Sequence, residues 1–240
     1  MSGTTITGTV LGAVGDPARP LLTYYGERQR IGLSAATLEN WAAKIGNYLR
    51  DEAGLFPGDG VVVDLPEHWQ SAAVLLGAWW AGLRVDLPDA PGGASPDPDA
   101  RVVFTTLDGI DRHPDAEELV VVPLDPFGGR VPGLPAFAND FGDTVRPHGD
   151  RFSPGGAGPA ALGDRSVDEV LAAARAAAQA DGITPGMRVL SSRPWGTADG
   201  VVAHLLAPLT AGAALVWVDP AAGADLASIA ETEKTGLALG

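Results

Sequence analysis

The feature that most constrains the fold of this 240-residue chain is a sequence pattern that occurs twice. A Pro-Gly turn leads into an apolar run, a second proline follows, and after another apolar stretch an Ala-Gly pair precedes a further apolar run. Three matching pairs are offset by 128 residues and one by 130: Pro57 and Pro185, Gly58 and Gly186, Pro66 and Pro194, then Gly82 and Gly212. Four anchors at nearly one spacing predict a duplicated helix–turn–strand–helix–strand unit.

Helical and strand-like patterns alternate along the whole chain. The predicted strands are 21–25, 61–65, 84–87, 101–106, 118–124, 187–191 and 214–218, and the predicted helices are 34–51, 67–83, 167–180, 197–211 and 222–234. Most of these strands are continuously apolar, as is typical of strands buried on both faces. We therefore expect an α/β fold of layered, mostly parallel sheets flanked by helices, with an internal pseudo-repeat.

The repeat also suggests how the chain divides. We predict an N-terminal lead-in over residues 1–20 and a first α/β subdomain over residues 21–150. A second α/β subdomain, over residues 151–240, is expected to be tightly joined to the first and to carry the second copy of the repeat.

Charge and residue types exclude several classes of function. The net charge of −14 argues against nucleic-acid binding, which needs clustered Lys and Arg. The absence of cysteine excludes disulfides, thiolate nucleophiles and Cys-ligated metals. The apolar run 71–83 is too short to span a membrane, and run 201–218 is interrupted by His204, Pro208 and Gly212. We expect both runs to be buried core, no membrane association and, because no signal peptide is recognisable, a cytoplasmic location.

Catalytic and metal-binding patterns are weak. The histidines are dispersed without metal-ligand spacing, at His68, His113, His148 and His204. Glu67 beside His68 is interpreted as a structural pair at a strand-to-helix turn, and Asp108 and Asp111 as solvated loop charges. We therefore predict no catalytic residues and no metal site.

A Gly- and Pro-rich segment, residues 152–163, lies between the two copies. A turn of this kind between a strand and a helix can cradle a phosphate with backbone N–H groups, and it can equally be a structural turn with no ligand. The candidate nucleotide-binding residues are Ser153, Gly155, Gly156 and Gly158, with Arg151 and Arg165 as the nearest cations. Trp195 is a candidate wall of a ligand pocket or, alternatively, a core residue.

The Pro-Gly turn, the helix ending in Ala-Gly and the strand after it resemble the N-terminal half of the AMP-binding, adenylate-forming superfamily. That superfamily includes acyl-CoA synthetases, luciferases and peptide-synthetase adenylation domains. The resemblance runs from about residue 21 to residue 240 and is clearest in the two repeated units. It implies a fold like the N-terminal subdomains of these enzymes and a phosphate loop at residues 152–163.

The phosphate loop implied by the resemblance lacks the family's reactive residues. In the family, a Ser/Thr/Gly-rich segment follows an aromatic residue and ends in Pro-Lys-Gly. Phe152 and Ser153 match its opening, and Gly155 and Gly158 match its two glycines. The family's hydroxyl positions fall on Gly156 and Ala157, its lysine falls on Ala161, and the lysines of this chain are Lys44 and Lys234.

Two other departures point the same way. The family often carries an aromatic–His pair near the acyl pocket, where this chain has Arg193-Pro194-Trp195-Gly196. The family also continues for roughly as many residues again, with a Tyr-Gly-x-Thr-Glu motif, a ribose-binding Asp, a hinge and a C-terminal lobe bearing a catalytic lysine. None of these appears in this sequence.

Three hypotheses follow. The leading one is a truncated, catalytically inactive relative that acts as a ligand-binding or interaction protein, with no assigned cofactor and at most weak binding of ATP or AMP. The second is a nucleotide- or acyl-CoA-handling, ligase-like enzyme that uses Arg151 or Arg165 and is completed by a partner chain. The third is a structural subunit that forms a homo-oligomer or binds a protein partner at its C-terminal end.

Overall fold

The computed structural model describes residues 4–27, 29–88 and 100–240. The strands in these residues are β1 (Pro20–Gly26), β2 (Gln29–Ser34), β3 (Gly60–Asp64), β4 (Arg84–Asp86), β5 (Val102–Thr105), β6 (Glu118–Val121), β7 (Asn139–Asp140), β8 (Arg188–Ser191), β9 (Ala214–Val218) and β10 (Leu237–Leu239). The α-helices are α1 (Ile6–Gly12), α2 (Ala35–Asn47), α3 (Trp69–Trp80), α4 (Phe141–Thr144), α5 (Val167–Ala180), α6 (Ala198–Gly200), α7 (Ala207–Thr210) and α8 (Leu226–Glu233). Two π-helical segments, Tyr48–Glu52 and Val201–Leu206, extend α2 and join α6 to α7, and two 3₁₀ helices cover Leu107–Arg112 and Pro220–Ala222.

The described residues form two compact units. The first unit comprises the residues up to Thr7 together with Asn40–Val167, and the second comprises Gly8–Glu39 together with Asp168–Gly240. These bounds differ from the predicted division at residue 150, because β1 hydrogen bonds to β9 and so joins the early chain to the second unit. Each unit has its own sheet.

The sheet of the first unit is parallel throughout, in the order β4-β3-β5-β6-β7. After β3 the chain forms α3 and then the edge strand β4, and it returns to the opposite side of β3 to form β5. The strand order therefore reverses between β3 and β5. In open α/β sheets, such a switch point leaves a crevice at the carboxyl ends of the strands.

The sheet of the second unit has the order β10-β8-β9-β1-β2 and is parallel except for the antiparallel pair β1–β2. Strand β2 was not predicted, since Gln29-Arg30-Ile31-Gly32 has too few apolar residues for a buried strand. Its exposure alternates along its length, as expected for an edge strand. The α/β class with mostly parallel sheets is confirmed.

The sequence repeat corresponds to a repeated backbone structure. In the first copy the N–H of Gly58 donates to the carbonyl of Gly82 over 3.0 Å, and in the second the N–H of Gly186 donates to Gly212 over 2.9 Å. All four glycines have left-handed φ values, between +73° and +102°. A side chain at these positions would strain the turn, which explains why the glycines occur in both copies.

The segment 125–149 is rich in Gly and Pro and has no clear periodicity, yet it contains regular secondary structure. It contributes β7 and α4, and the Asp140 carboxylate caps α4 by accepting the N–H groups of Gly142 and Asp143 over 2.8 and 3.3 Å. In the described part of the chain, no helix has the length and apolarity needed to cross a bilayer.

An ion-pair network in the second unit leads to a pH-dependent prediction. Glu233 accepts hydrogen bonds from Arg30 Nε over 2.6 Å, from the Tyr25 hydroxyl over 2.6 Å and from Arg188. Burial alone would raise the pKa of Glu233, but these donors outweigh it and lower the pKa to about 2. The charged carboxylate therefore stabilises the fold above its unfolded pKa, and this contribution is lost as the pH falls from about 4.3 towards 2.

We expect Glu233→Gln to lower the free energy of unfolding at pH 7 by about 1–2 kcal/mol, since one half-exposed and one partly buried arginine lose their partner. Urea denaturation at pH 7 and pH 3 measures this loss. The difference in the free energy of unfolding between variant and parent should be smaller at pH 3. The exposed Glu231→Gln is the matched control. A difference in the free energy of unfolding that grows on acidification would contradict a stabilising role for the charged Glu233 carboxylate.

Candidate functional site

The segment predicted as a phosphate loop belongs to the first unit, and its first residues pack on other parts of that unit. The Phe152 ring lies 5.7 Å from the Trp80 ring, and the Arg50 guanidinium lies 4.6 Å from the Phe152 ring centre. The Asn47 side-chain amide donates to the carbonyls of Gly149 and Arg151, each over 2.9 Å. These contacts fix the entry of the segment to the end of α2.

The other end of the segment pairs with β4. Val85 donates its N–H to the carbonyl of Ala161 over 2.9 Å and accepts the N–H of Gly163 over 3.0 Å, so the chain continues the parallel sheet by one bridge. The Trp79 indole donates to the same Ala161 carbonyl over 2.8 Å. Gly158 donates its N–H to Gly82 over 3.0 Å, at the turn that also receives Gly58.

Backbone donors in this half of the segment are therefore already used. The N–H groups of Ala161 and Leu162 donate to the Arg165 carbonyl over 2.7 and 3.2 Å. Ala161, which stands where the resembling family has its lysine, is only 3% exposed. Gly155 and Gly156 remain in the open part, where a Cβ would meet no atom within 4 Å.

The remaining predicted residues belong to different units. Arg151 and Ser153 are exposed, and the Ser153 carbonyl accepts from Arg50 Nη1 over 3.4 Å. Trp195 belongs to the second unit, where it is 4% exposed and packs edge-on against Trp217 with ring centres 5.9 Å apart. It lies in the core of that unit and lines neither the cavity of about 440 Å³ nor that of about 490 Å³ described below.

A cluster that sequence reasoning missed lies at the carboxyl edge of the first-unit sheet. Asp64, the last residue of β3, accepts from Arg112 Nε over 2.8 Å and from Arg112 Nη2 over 2.7 Å through its Oδ2 atom. His113 Nε2 lies 2.8 Å from the same oxygen. The Asp64 and His113 side chains are 8% and 1% exposed, so the pair is almost fully desolvated.

Buried polar atoms without partners surround this cluster. Thr105 ends β5, and neither its Oγ1 nor the His113 Nδ1 has a hydrogen-bond partner among the described residues. Gly109 packs directly on the Thr105 hydroxyl and on Arg112, so that no side chain would fit there. Because buried polar groups are nearly always paired, these two atoms are available for hydrogen bonds to water or to a ligand.

The start of α3 adds two more buried polar side chains. His68 caps the helix, with its Nδ1 accepting the N–H of Gln70 over 3.3 Å. Burial lowers the pKa of His68 to about 3, against an opposing effect of Asp125, so its ring is neutral at physiological pH. Gln70 is 0% exposed, and neither amide atom has a partner in the described residues.

A crevice of about 490 Å³ opens at the same sheet edge. Its lining follows the carboxyl ends of three strands: Pro66 after β3, Thr106, Leu107 and Asp108 after β5, and Val122, Pro123, Leu124, Val131 and Pro132 after β6. The crevice thus lies at the switch point between β3 and β5, where open α/β sheets bind ligands. Its volume is within the range of small-molecule sites.

A second cavity, of about 440 Å³, lies in the second unit. It is lined by residues 13–16, 19–21, 185–188 and 212–214, at the amino ends of β1, β8 and β9. Open α/β sheets bind ligands at the opposite edge, so this cavity is the weaker candidate.

The sequence carried only a partial signal for the first site. Asp64 stands directly after an apolar run, and polar residues at strand ends are the usual source of such sites. His113 lies 49 residues further along, in a polar segment without periodicity. Their contact depends on the order of β3 and β5 in the sheet. The described residues contain no group of three or more His, Asp or Glu side chains arranged to hold a metal ion.

Comparison with known proteins places the chain in a wider group. No family model matches the sequence. A TIGR03089 family protein of Mycobacterium tuberculosis is 42% identical over 232 residues, which cover 91% of this chain and 92% of that protein. Among solved structures, a Brucella canis acyl-CoA synthetase is similar with a TM-score of 0.78 and 19% identity over 99% of this chain. An anthranilate CoA ligase in complex with anthranoyl-AMP has a TM-score of 0.67 and 16% identity over 90% of it.

The chain spans about half the length of these two ligases, 47% of the first and 45% of the second. At such low identity the similarity establishes the fold alone. The fold implied by the sequence resemblance, that of part of an adenylate-forming enzyme, is thereby confirmed.

Proposed function

The chain belongs to the TIGR03089 family, and we propose that it is a ligand-binding protein that keeps the scaffold of an adenylate-forming ligase without its phosphate chemistry. The observation that carries this proposal is the packing of residues 158–165. Four of their N–H groups, those of Gly158, Ala161, Leu162 and Gly163, donate to the carbonyls of Gly82, Arg165 and Val85, so these donors are not directed at a ligand.

Adenylation makes demands that this segment does not meet. Transfer of AMP needs donors and cations placed around the nucleotide phosphates, because charge builds up there in the transition state. Ala161 is buried at the position where the resembling enzymes have a lysine, and Ser153 contributes the one hydroxyl of residues 152–163. The open amides near Gly155 and Gly156 leave room for weak anion binding only.

The crevice at the switch point supports the binding role. It is a concave site at the sheet edge where ligands bind in this class of fold, and its lining residues Pro66 and Thr106 follow closely after the buried polar residues Asp64 and Thr105. Such a site needs no nucleotide. The ligase scaffold would then serve to hold strand ends and helix starts in fixed positions around it.

We expect titration with MgATP, AMP or acyl-CoA to give no calorimetric binding signal at micromolar concentration and no ATP–pyrophosphate exchange above background. An active acyl-CoA synthetase assayed in parallel is the positive control. Micromolar, Mg-dependent ATP binding would contradict the proposal. If Arg151→Ala abolished that binding while the equally exposed Arg146→Ala did not, the ligase-like alternative would be supported instead.

A further inference from the structure

We propose that the crevice at the carboxyl edge of the first-unit sheet binds a small molecule with an ammonium group and an aliphatic body. The inference refines the proposed binding role by assigning it a site and a class of ligand. The chain leaves β3 towards β4 and leaves β5 towards β6, so Pro66 and Thr106 lie on opposite walls of one crevice.

The lining is rich in hydrogen-bond acceptors and poor in donors. Three of its residues are the prolines Pro66, Pro123 and Pro132, which contribute carbonyl groups but no N–H. The N–H of Val122 donates to Thr105 over 2.8 Å, and that of Val131 donates to the Asp140 carboxylate over 2.6 Å, so both are already used. Apart from the Thr106 hydroxyl, which can donate or accept, the lining side chains offer no hydrogen-bond donor, so a ligand that carries donors of its own is favoured.

Asp108 provides the charged end of the site. It is the single charged residue of the lining, and its side chain makes no ion pair or hydrogen bond within the described residues. Hydrogen bonds between an ammonium group and a carboxylate are about twice as strong as neutral ones. A ligand carboxylate or phosphate would instead be repelled, which separates this site from one built for acyl-adenylates.

The rest of the lining is aliphatic. Leu107 is 40% exposed and is one of the apolar residues that line the crevice. Leu124 has a left-handed φ of +54°, which costs a non-glycine residue on the order of 1 kcal/mol and concentrates at ligand sites. Together with Val122 and Val131 these side chains offer an apolar wall to the ligand body.

The element that carries Leu107 and Asp108 is held in place beforehand. This element is the 3₁₀ helix Leu107–Arg112. The guanidinium of its last residue, Arg112, donates two hydrogen bonds to the Asp64 carboxylate. Gly109 in the same helix packs on Thr105, at the end of β5. Because contacts with Asp64 and Thr105 already hold this helix, it loses little conformational freedom when a ligand binds.

Three six-carbon probes separate the contributions: hexylammonium, hexanol and hexanoate. They share an aliphatic body and differ in the group presented to Asp108. By NMR titration of the full chain we expect hexylammonium to bind about two- to five-fold more tightly than hexanol, because Asp108 is exposed to solvent, with shifts centred on Leu107 and Leu124. Hexanoate should not bind, and added salt should weaken hexylammonium more than hexanol.

Asp108→Asn should weaken hexylammonium binding about two- to five-fold and leave hexanol unchanged, while Asp111→Asn in the same helix is the matched control. Leu107→Ala should weaken both probes. The proposal is overturned if no probe binds at millimolar concentration, if hexanoate binds as well as hexylammonium, or if Asp108→Asn has no effect. None of these outcomes involves a nucleotide, so failure here is distinct from failure of the ATP titration.

Discussion

Replacing Asp64 by alanine is expected to lower the free energy of unfolding by about 2–3 kcal/mol, the largest loss we expect from any single carboxylate in the first unit. Asp64 is the common acceptor for Arg112 and His113, and its side chain is 8% exposed. Removing it leaves a guanidinium without its partner at the end of β3. The loss is kept moderate because the Arg112 side chain retains 31% exposure and is partly solvated.

Urea denaturation of the parent, Asp64→Ala and Asp111→Ala measures this effect. The exposed Asp111 lies in the same 3₁₀ helix and should change stability by less than about 0.5 kcal/mol. Adding Arg112→Ala to Asp64→Ala should cost little more, because the unpaired cation is then removed. Equal effects of the two aspartate variants would show that the cluster does not hold the helix.

The second large effect concerns Gly158 in the segment predicted as a phosphate loop. A Cβ at this position would lie 2.5 Å from the Gly58 Cα and 2.6 Å from its nitrogen, both of which are backbone atoms. Backbone cannot move aside as a flexible side chain does, so Gly158→Ala should destabilise the protein by about 2–4 kcal/mol.

Gly155→Ala is the matched control, since a Cβ there would meet nothing within 4 Å. We expect it to change the free energy of unfolding by less than about 0.5 kcal/mol, as for an ordinary surface substitution. Thermal and urea denaturation of the two variants give the comparison. Two equally mild effects would mean that the segment is not packed, and would restore its availability as an open phosphate loop.

The pattern of glycines and prolines was enough to predict the repeated unit. Gly58 and Gly186 occur where a left-handed turn precedes a buried strand, and such a turn is a local property that short sequence spacing encodes. The same locality explains why strand β9 and helix α5 were predicted with their observed bounds. Strand β2, by contrast, pairs at the edge of a sheet, where burial is too low to give an apolar run.

The candidate site was predicted less well, for a physical reason. The sequence left residues 152–163 open between a phosphate cradle and a structural turn with no ligand, and in the structure hydrogen bonds to Gly82, Val85 and Arg165 occupy several of their amides. Whether an amide is free depends on what packs against it, and its own sequence does not contain that information. The contact between Asp64 and His113 likewise depends on β5 lying beside β3.

Residue types and short-range spacing were enough to predict the α/β class and the duplicated unit and, through the resemblance, the absence of the lysine and hydroxyls that phosphate chemistry requires. They act through local backbone geometry and burial. Which strands are neighbours depends instead on tertiary packing. The order of β3, β5 and β6 brings Asp64, Asp108 and His113 to one sheet edge, because parallel neighbours end at the same side, and it forms a crevice there that residues 152–163 do not line.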